Sequence, residues 1–340
     1  MKILFQSYAF YPSVGGIESS ADLLLRKFVE LGHEIRIHTM TPLDNAPEID
    51  LYKVTREPKF SKVIGDLKWA DILYQHNPSL RLSWPSSFLK IPTAISIHTW
   101  IRRSENERLS LVDRIKRHLI SHHTVISNSY ATAEHLGFPS TIIENAYDDS
   151  QFHNQEHNDR QGMVFVGRLV SDKGCITAIE AVAKLSQAGR PLSLTIVGSG
   201  PDEDSLKESS SRLGINSLVN FVGRKSPEDV ASILNCSRYQ LIPSVWAEPF
   251  GIVALEGIAC GCIPIATNNG GLVDAVGNCG ALFPPGDSDM LASKVMELES
   301  KPDLVENYLR QRKEHLARHS PDSVAAAYIE AFENTLKCAR

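Results

Sequence analysis

The sequence predicts an α/β protein built from two doubly wound parallel-sheet domains. Three observations carry that expectation. The chain has 340 residues, and at about 100–200 residues per domain this length suits two. Short apolar runs alternate with longer amphipathic stretches, the pattern of βαβ units whose sheet is covered by helices on both faces. One polar stretch, residues 148–161, interrupts the alternation and reads as a linker.

The elements follow in order. Residues 2–8 read as a buried strand, 17–31 as a helix closed by Gly32, and 35–39 as the next strand. Further strands are expected at 72–75, 93–98, 124–127 and 141–144, with helices between them. After the polar break come strands at 163–167, 192–197, 218–222, 239–242 and 263–266. Helices at 176–188, 202–213, 227–235 and 252–259 are interleaved with them, and two more, near 302–318 and 321–337, end the chain.

Composition narrows the function. Hydrophobic residues make up 42% and charged residues 22%, close to globular averages, so general disorder is not expected. A net charge of -5 argues against a generally basic nucleic-acid binder. No uninterrupted apolar run is long enough for a transmembrane helix, and residues 1–6 turn polar too soon for a secretory signal. Cys175, Cys236, Cys260, Cys262, Cys279 and Cys338 are scattered without CxxC or zinc-like spacing, so they read as reduced thiols. A cytoplasmic location is the expectation.

Open parallel sheets bind ligands beyond the carboxyl ends of their strands. The first strand runs into a loop ending Gly15-Gly16-Ile17-Glu18 before a helix. Adjacent glycines let backbone N–H groups approach a ligand, and the helix start favours anions; a plain flexible loop is the alternative. Arg168 and Lys173 leave another strand end, bracketed by Gly167 and Gly174. A bidentate guanidinium and a mobile ammonium there suit a diphosphate, unless both are merely solvated.

The richest stretch is Pro243 to Gly261. Glu248 precedes a helix and Glu256 stands within it, eight residues on, among Ile252, Leu255 and Ile258. A carboxylate in apolar surroundings is costly without partners, and an ionised one only accepts hydrogen bonds, so sugar or ribose hydroxyls suit it; a core glutamate with a local partner is the alternative. A glycosidase dyad needs carboxyls roughly 5–9.5 Å apart, whereas eight helical residues rise about 12 Å. Two anchors on an elongated ligand fit better, with the N–H groups of Phe250, Gly251 and Ile252 between them.

Together these stretches resemble the retaining glycosyltransferases of family 4, which have the GT-B fold. The resemblance runs nearly the full chain and rests on Glu248-x7-Glu256 with Pro-Phe-Gly between, on Gly-Arg-x4-Lys-Gly, and on Gly-Gly-x-Glu. It implies two Rossmann-like domains facing an interdomain cleft. The first, residues 1–157, would be the acceptor side, joined by the C-terminal helix 321–340; the second, 158–320, would bind the nucleotide sugar. By resemblance Arg168 and Lys173 bind the donor diphosphate, Glu248 contacts the transferred sugar and Glu256 holds the ribose. The main chain at Phe250, Gly251 and Ile252 touches sugar hydroxyls, and the Gly15-Gly16 loop faces the phosphates. His98, at the end of its strand, would stand beside the donor sugar. Gly198 lies in a loop near the donor, and Arg224 stands where relatives hold the nucleobase. Asn145-Ala146-Tyr147-Asp148 looks like the family's Asn-Gly-Val-Asp, which brings Asn145 to the site. Departures are Thr99 where an aspartate often follows the histidine, Ala146-Tyr147 for Gly-Val, and Gly257 for alanine.

The resemblance implies transfer of a hexose-type sugar from a nucleoside-diphosphate sugar, UDP before GDP, to a saccharide, lipid-linked or small-molecule acceptor. Transfer would retain configuration, with no metal or other cofactor. The alternatives are an inactive GT-B binding subunit, or a nucleotide-sugar epimerase or phosphorylase. A NAD-dependent dehydrogenase would need GxGxxG after a strand and an acidic residue about 20 on. Neither His122-His123 nor His153-x3-His157 is completed to a metal site, and Asp202-Glu203-Asp204 is expected to cap a helix.

Residues 101–121 carry Arg102, Arg103, Arg108, Arg114, Lys116 and Arg117 beside Leu109, Leu111, Val112, Ile115, Leu119 and Ile120. A basic amphipathic helix of this kind suits peripheral contact with anionic lipid; a helix facing the core is the alternative.

Overall fold

A computed structural model describes the chain except residues 14, 44–45, 48–49, 84–85, 87–88, 102–109, 158 and 339–340. Arg102, Arg103, Arg108 and Leu109 of the expected lipid-facing segment therefore lie outside the described residues. The chain divides into two compact units, Met1–Ala146 with Pro321–Arg340, and Tyr147–Ser320.

The first unit is a seven-stranded, all-parallel sheet of order β3-β2-β1-β4-β5-β6-β7. Its strands are β1 (Lys2–Ser7), β2 (Glu34–Thr39), β3 (Lys53–Arg56), β4 (Ile72–His76), β5 (Thr93–Ile97), β6 (Thr124–Ser127) and β7 (Thr141–Ile142). Its helices are α1 (Gly16–Glu30), α2 (Phe60–Trp69), α3 (Leu80–Ser83), α4 (Leu111–Ile120), α5 (Tyr130–Leu136) and the C-terminal α13 (Pro321–Cys338). Successive strand residues point to opposite faces, so β1 feeds two cores. Ile3 and Phe5 join Leu24 and Phe28 of α1 and Tyr328 and Phe332 of α13. Leu4 joins Leu73 of β4 and Val63 and Leu67 of α2.

The second unit is a six-stranded parallel sheet of order β10-β9-β8-β11-β12-β13. Its strands are β8 (Met163–Val166), β9 (Leu194–Val197), β10 (Val219–Gly223), β11 (Tyr239–Ile242), β12 (Ile263–Thr267) and β13 (Ala281–Phe283). Its helices are α6 (Cys175–Gln187), α7 (Glu203–Arg212), α8 (Pro227–Cys236), α9 (Ile252–Cys260), α10 (Leu272–Val276), α11 (Ser288–Ser300) and α12 (Pro302–Arg318). Phe165, Ile196 and Leu241 pack with α6 and α11 on one face. Val164, Val197 and Ile242 pack with α8, α9 and α10 on the other. Both sheets are thus doubly wound.

The unit division falls between Ala146 and Tyr147, ahead of the 157/158 boundary read from the sequence. Tyr147 and Phe152 are buried in the core with Ala254 and Leu255, and Asn235 Oδ1 accepts from Gln155 N at 2.8 Å. Polar composition there hides two aromatic anchors. The six cysteines are free, and Cys175, Cys260, Cys262 and Cys279 are buried.

Candidate active site

In the second unit most of the residues singled out above lie on loops that leave the carboxyl ends of the strands, while Ile252 and Glu256 lie in α9. After β8 the chain passes Arg168 and a short 3-10 turn, Ser171–Lys173, before α6 begins behind Gly174. The carbonyl of Asp172 accepts from Val245 N at 2.9 Å and Trp246 N at 3.2 Å, which ties this loop to the one after β11. Lys173 Nζ forms an ion pair with Glu248 Oε1, and Ser244 Oγ donates to the same oxygen at 2.8 Å. Arg168 is exposed, and its guanidinium has no partner among the described residues. Between these two cations, one is held by a carboxylate and one is open to an anion.

The loop after β9 is drawn against the same region. Gly198 sits at φ 139, and a Cβ there would lie 1.8 Å from the carbonyl oxygen of Gly167. Only glycine permits that approach. Gly198 N donates to Gly223 O at 2.9 Å, and Arg224 follows, exposed, at the end of β10. Asp202 lies at the start of α7 but makes no capping hydrogen bond. Glu203 and Asp204 stand in the first turn, where the helix end favours negative charge.

Glu248 pairs with Gly270 in an isolated parallel bridge, and Gly271 N donates to Glu248 O at 2.7 Å. Phe250 is 2% exposed and packs its ring 5.8 Å from that of His319, which anchors the turn into α9. Gly251 opens α9 at φ 108, and a Cβ would stand 2.4 Å from Leu272 Cδ2. The first turn of α9 has no side-chain cap, which leaves the N–H groups of Ile252 and Val253 as donors without a partner among the described residues. Glu256, one turn further, is half-buried, and its carboxylate meets no hydrogen-bond partner among the described residues. Burial first, and the Asp148 charge second, push its pKa up to about 7. The local partner that a purely structural glutamate would need is absent among those residues.

In the first unit Gly15 is the N-cap of α1, in extended backbone, with the Glu18 carboxylate over the helix start and Ser13 Oγ donating to Glu18 Oε1 at 3.3 Å. Nothing lies within 4 Å of the Cβ direction at Gly16. His98 is 4% exposed and stacks on His76, ring centroids 4.0 Å apart. A chain of contacts runs from it: Nε2 to Ser96 Oγ at 2.9 Å, Ser96 Oγ to Tyr74 Oη at 2.9 Å, Tyr74 Oη to His76 Nδ1 at 3.0 Å, and His76 Nε2 to Ile17 O at 3.2 Å. The carbonyl only accepts, so His76 Nε2 carries the proton and its Nδ1 accepts from Tyr74. One proton per hydroxyl then makes Ser96 the donor to Tyr74 and His98 Nε2 the donor to Ser96. His98 Nδ1 is left as a buried acceptor that meets no partner of full hydrogen-bond geometry among the described residues. Burial above all, and His76 beside it, hold the His98 pKa well below 6.5, while Asn145 opposes the shift. Burial also lowers His76, to about 4. Both rings are neutral.

Residues 147–315 match the family model of glycosyl transferases group 1. The second unit is a group 1 glycosyl transferase domain. A glycogen synthase of Mycobacterium tuberculosis is 30% identical over 181 residues, 52% of this chain and 44% of its own length. The chain thus covers less than half of the first curated relatives it matches. A glycosyltransferase of Methanocaldococcus jannaschii is 23% identical over 98% of both chains. The crystal structure of Anabaena Alr3699/HepE in complex with UDP superposes with a TM-score of 0.84 at 19% identity, over 98% of this chain and 100% of that one. At that identity the likeness is one of fold, and it agrees with the paired Rossmann-like sheets expected from the sequence.

Within the group 1 domain the structure brings Lys173, Ser244 and Glu248 into contact and sets Glu256 beside Asp148. Ser244 and, in the first unit, His76 and Ser96 escaped the reading of the sequence. Among the described residues no group of three or more His, Cys, Asp or Glu side chains is placed to hold a metal ion, and no helix is long and apolar enough to cross a membrane.

Proposed function

We propose that this chain transfers a hexose-type sugar from a nucleoside-diphosphate sugar to an acceptor hydroxyl, with retention of anomeric configuration and without a metal. The observation that carries the reading is the Lys173–Glu248 pair at the ends of β8 and β11, beside the open Arg168 and just before the uncapped start of α9. In the reaction the bond from the anomeric carbon to the diphosphate oxygen breaks and a bond to the acceptor oxygen forms on the same face. The acceptor proton passes to the departing phosphate oxygen. Arg168, Lys173 and the α9 N–H groups stabilise charge where it develops. Glu248 and the N–H groups of Gly251 and Ile252 orient the sugar, and His98 Nδ1 accepts from one of its hydroxyls. Glu256 accepts from the ribose, Arg224 lies at the base, and the Gly15-Gly16 loop and Gly198 approach the phosphates. UDP is the donor nucleotide proposed, on its frequency in the family. The acceptor is a saccharide, lipid-linked or small molecule.

One exposed feature supports a lipid-side partner. Leu111, Val112, Ile115 and Leu119 of α4 are 74, 59, 48 and 43% exposed, so this apolar stripe faces out of the core. Arg114 stands among them. A peripheral contact with anionic lipid is the reading proposed for that stripe.

The deciding experiment is a thermal-shift series with UDP-, GDP- and ADP-glucose, since a ligand that binds only the folded chain raises its melting temperature. UDP-glucose is expected to give the largest rise, and released UDP with an α-configured product should follow, undiminished by EDTA. A chain that none of the three stabilises, and that releases no nucleotide, is no sugar transferase.

A further inference from the structure

Helix α4 ends on a pair of histidines that the proposed transfer reaction does not use. His118 lies in its last turn, and the helical course runs on past Ile120 far enough to bring His122 round to it. Ser121 keeps right-handed helical angles and its N–H donates to Arg117 O at 3.0 Å, while His123 N donates to Ile120 O at 3.0 Å. Residues four apart on a helix are neighbours on its surface. The two imidazoles accordingly meet, with ring centroids 4.7 Å apart and planes at 88°, and their Nε2 atoms stand 3.4 Å from each other.

That separation points to a chemistry. A ring N–H and its acceptor usually stand about 2.7–3.2 Å apart, so 3.4 Å is long for a bond between the two rings. Two zinc–imidazole bonds of about 2.0–2.1 Å at a tetrahedral angle hold their nitrogens about 3.3–3.4 Å apart. The pair thus stands at the bite of a tetrahedral ion. Histidines at i and i+4 on one helical face are also the pair that zinc-binding helices present. Both residues are exposed, and neither ring is bonded to any other side chain among the described residues.

The surroundings narrow the class of ion. Imidazole suits Zn²⁺, Cu²⁺ and Ni²⁺, whereas Mg²⁺ and Ca²⁺ take oxygen donors. The one carboxylate of α4, Asp113, is held by Ser110 in the capping box at the opposite end of the helix. The histidines stand at the C-terminal end, where the negative pole of the helix dipole favours a cation. Arg114, one turn before His118, opposes a bare cation and favours an anionic oxygen among its further ligands. At 3.6 residues per turn, Leu111, Ile115, His118 and His122 fall on one stripe, so the ion stands at the end of the exposed apolar stripe.

We propose that His118 and His122 form a surface site for one zinc-class divalent cation, bound through both Nε2 atoms, with two positions left to water or an anionic oxygen. Each Nε2 then gives a lone pair, so both rings bind neutral with their protons on Nδ1. The proposal does not rest on the sugar transfer.

Titration of the whole chain with ZnCl₂, followed by calorimetry and by histidine-ring NMR, tests it. The His118 and His122 rings are expected to respond together in one saturable event. His118→Ala and His122→Ala should each weaken that event tenfold or more, and the double variant should lose no more than either single one, because a chelate needs both arms. His123→Ala should bind as the parent does, since its side chain leaves the helical course on another side. All three residues are exposed, so the variants should melt with the parent when no metal is present. Cu²⁺ should bind more tightly than Zn²⁺, and about a hundredfold excess of Mg²⁺ should not compete. The site is refuted if the two rings do not respond to Zn²⁺, if either single variant binds as the parent does, or if His123→Ala abolishes binding.

Discussion

Lys173 and Glu248 are joined as an ion pair across two loops, 75 residues apart in the chain, with side chains 23 and 12% exposed. Glu248 is steadied by Ser244 as well, so the pair survives as a geometry even when its ammonium is drawn toward a ligand. For Lys173→Ala we expect turnover to drop about 100-fold or more, the usual consequence of removing one donor to a developing charge. Stability should stay within about 2 kcal/mol of the parent, because the pair is not fully desolvated. Steady-state kinetics beside a melting curve check both halves; near-normal turnover removes Lys173 from the diphosphate site.

His98 makes a contrasting prediction, since its ring is neutral and fixed. Its pKa lies well below 6.5, so the pH profile of turnover should carry no step from His98 near neutrality, and its ring NMR shifts should stay constant from about pH 6 to pH 8. His98→Ala should lower turnover about tenfold, the value of one neutral hydrogen bond to the sugar. A ring that titrates between those limits would mean that Nδ1 is not the free acceptor the hydrogen-bond chain requires.

How much of this was legible in the sequence depends on what each residue displays. The strands with apolar runs, such as β1 and β8, stand out, and Pro302 and Pro321 mark where the last two helices begin. The strand β3 does not, because Lys53–Arg56 is an edge strand, half-buried and without an apolar run. Charged residues between glycines, such as Arg168 and Lys173, announce chemistry. Ser244 and Ser96 do not: a serine is common anywhere, and its meaning arises only when the fold sets it beside Glu248 or His98. Tyr147 and Phe152 were concealed in the same way by the polar residues around them.

The helix α4 gives a prediction on a separate surface. Burying an exposed leucine or isoleucine in a lipid interface is worth about 1–2 kcal/mol, so the stripe at Leu111, Ile115 and Leu119 should account for most of any vesicle affinity. The chain should sediment with vesicles containing phosphatidylglycerol, more weakly at high salt. Replacing those three residues by serine should reduce the bound fraction at least tenfold while the melting temperature holds, because their side chains are exposed in the folded chain. Equal sedimentation of parent and variant would clear the stripe of that role.

Glu256 links the donor site to pH. Its pKa stands at about 7 in the folded chain against an ordinary 4.5, from burial first and Asp148 second. Because the folded value is the higher one, the folded chain holds a proton that the unfolded chain releases between those two values. The contribution to stability is then fully present below the unfolded value and is lost as pH rises through about 7. Glu256→Gln should therefore match the parent near pH 4.5 and exceed it near pH 8, by at most about 3 kcal/mol. Urea unfolding at both ends of that range measures the difference. The same carboxylate must be ionised to accept from two ribose hydroxyls, so UDP-glucose should bind the parent more tightly as pH rises through 7, and Glu256→Gln should bind weakly with no such rise. If the variant and the parent keep the same stability difference from pH 4.5 to pH 8, Glu256 is an ordinary solvated carboxylate, and the ribose assignment loses its physical basis.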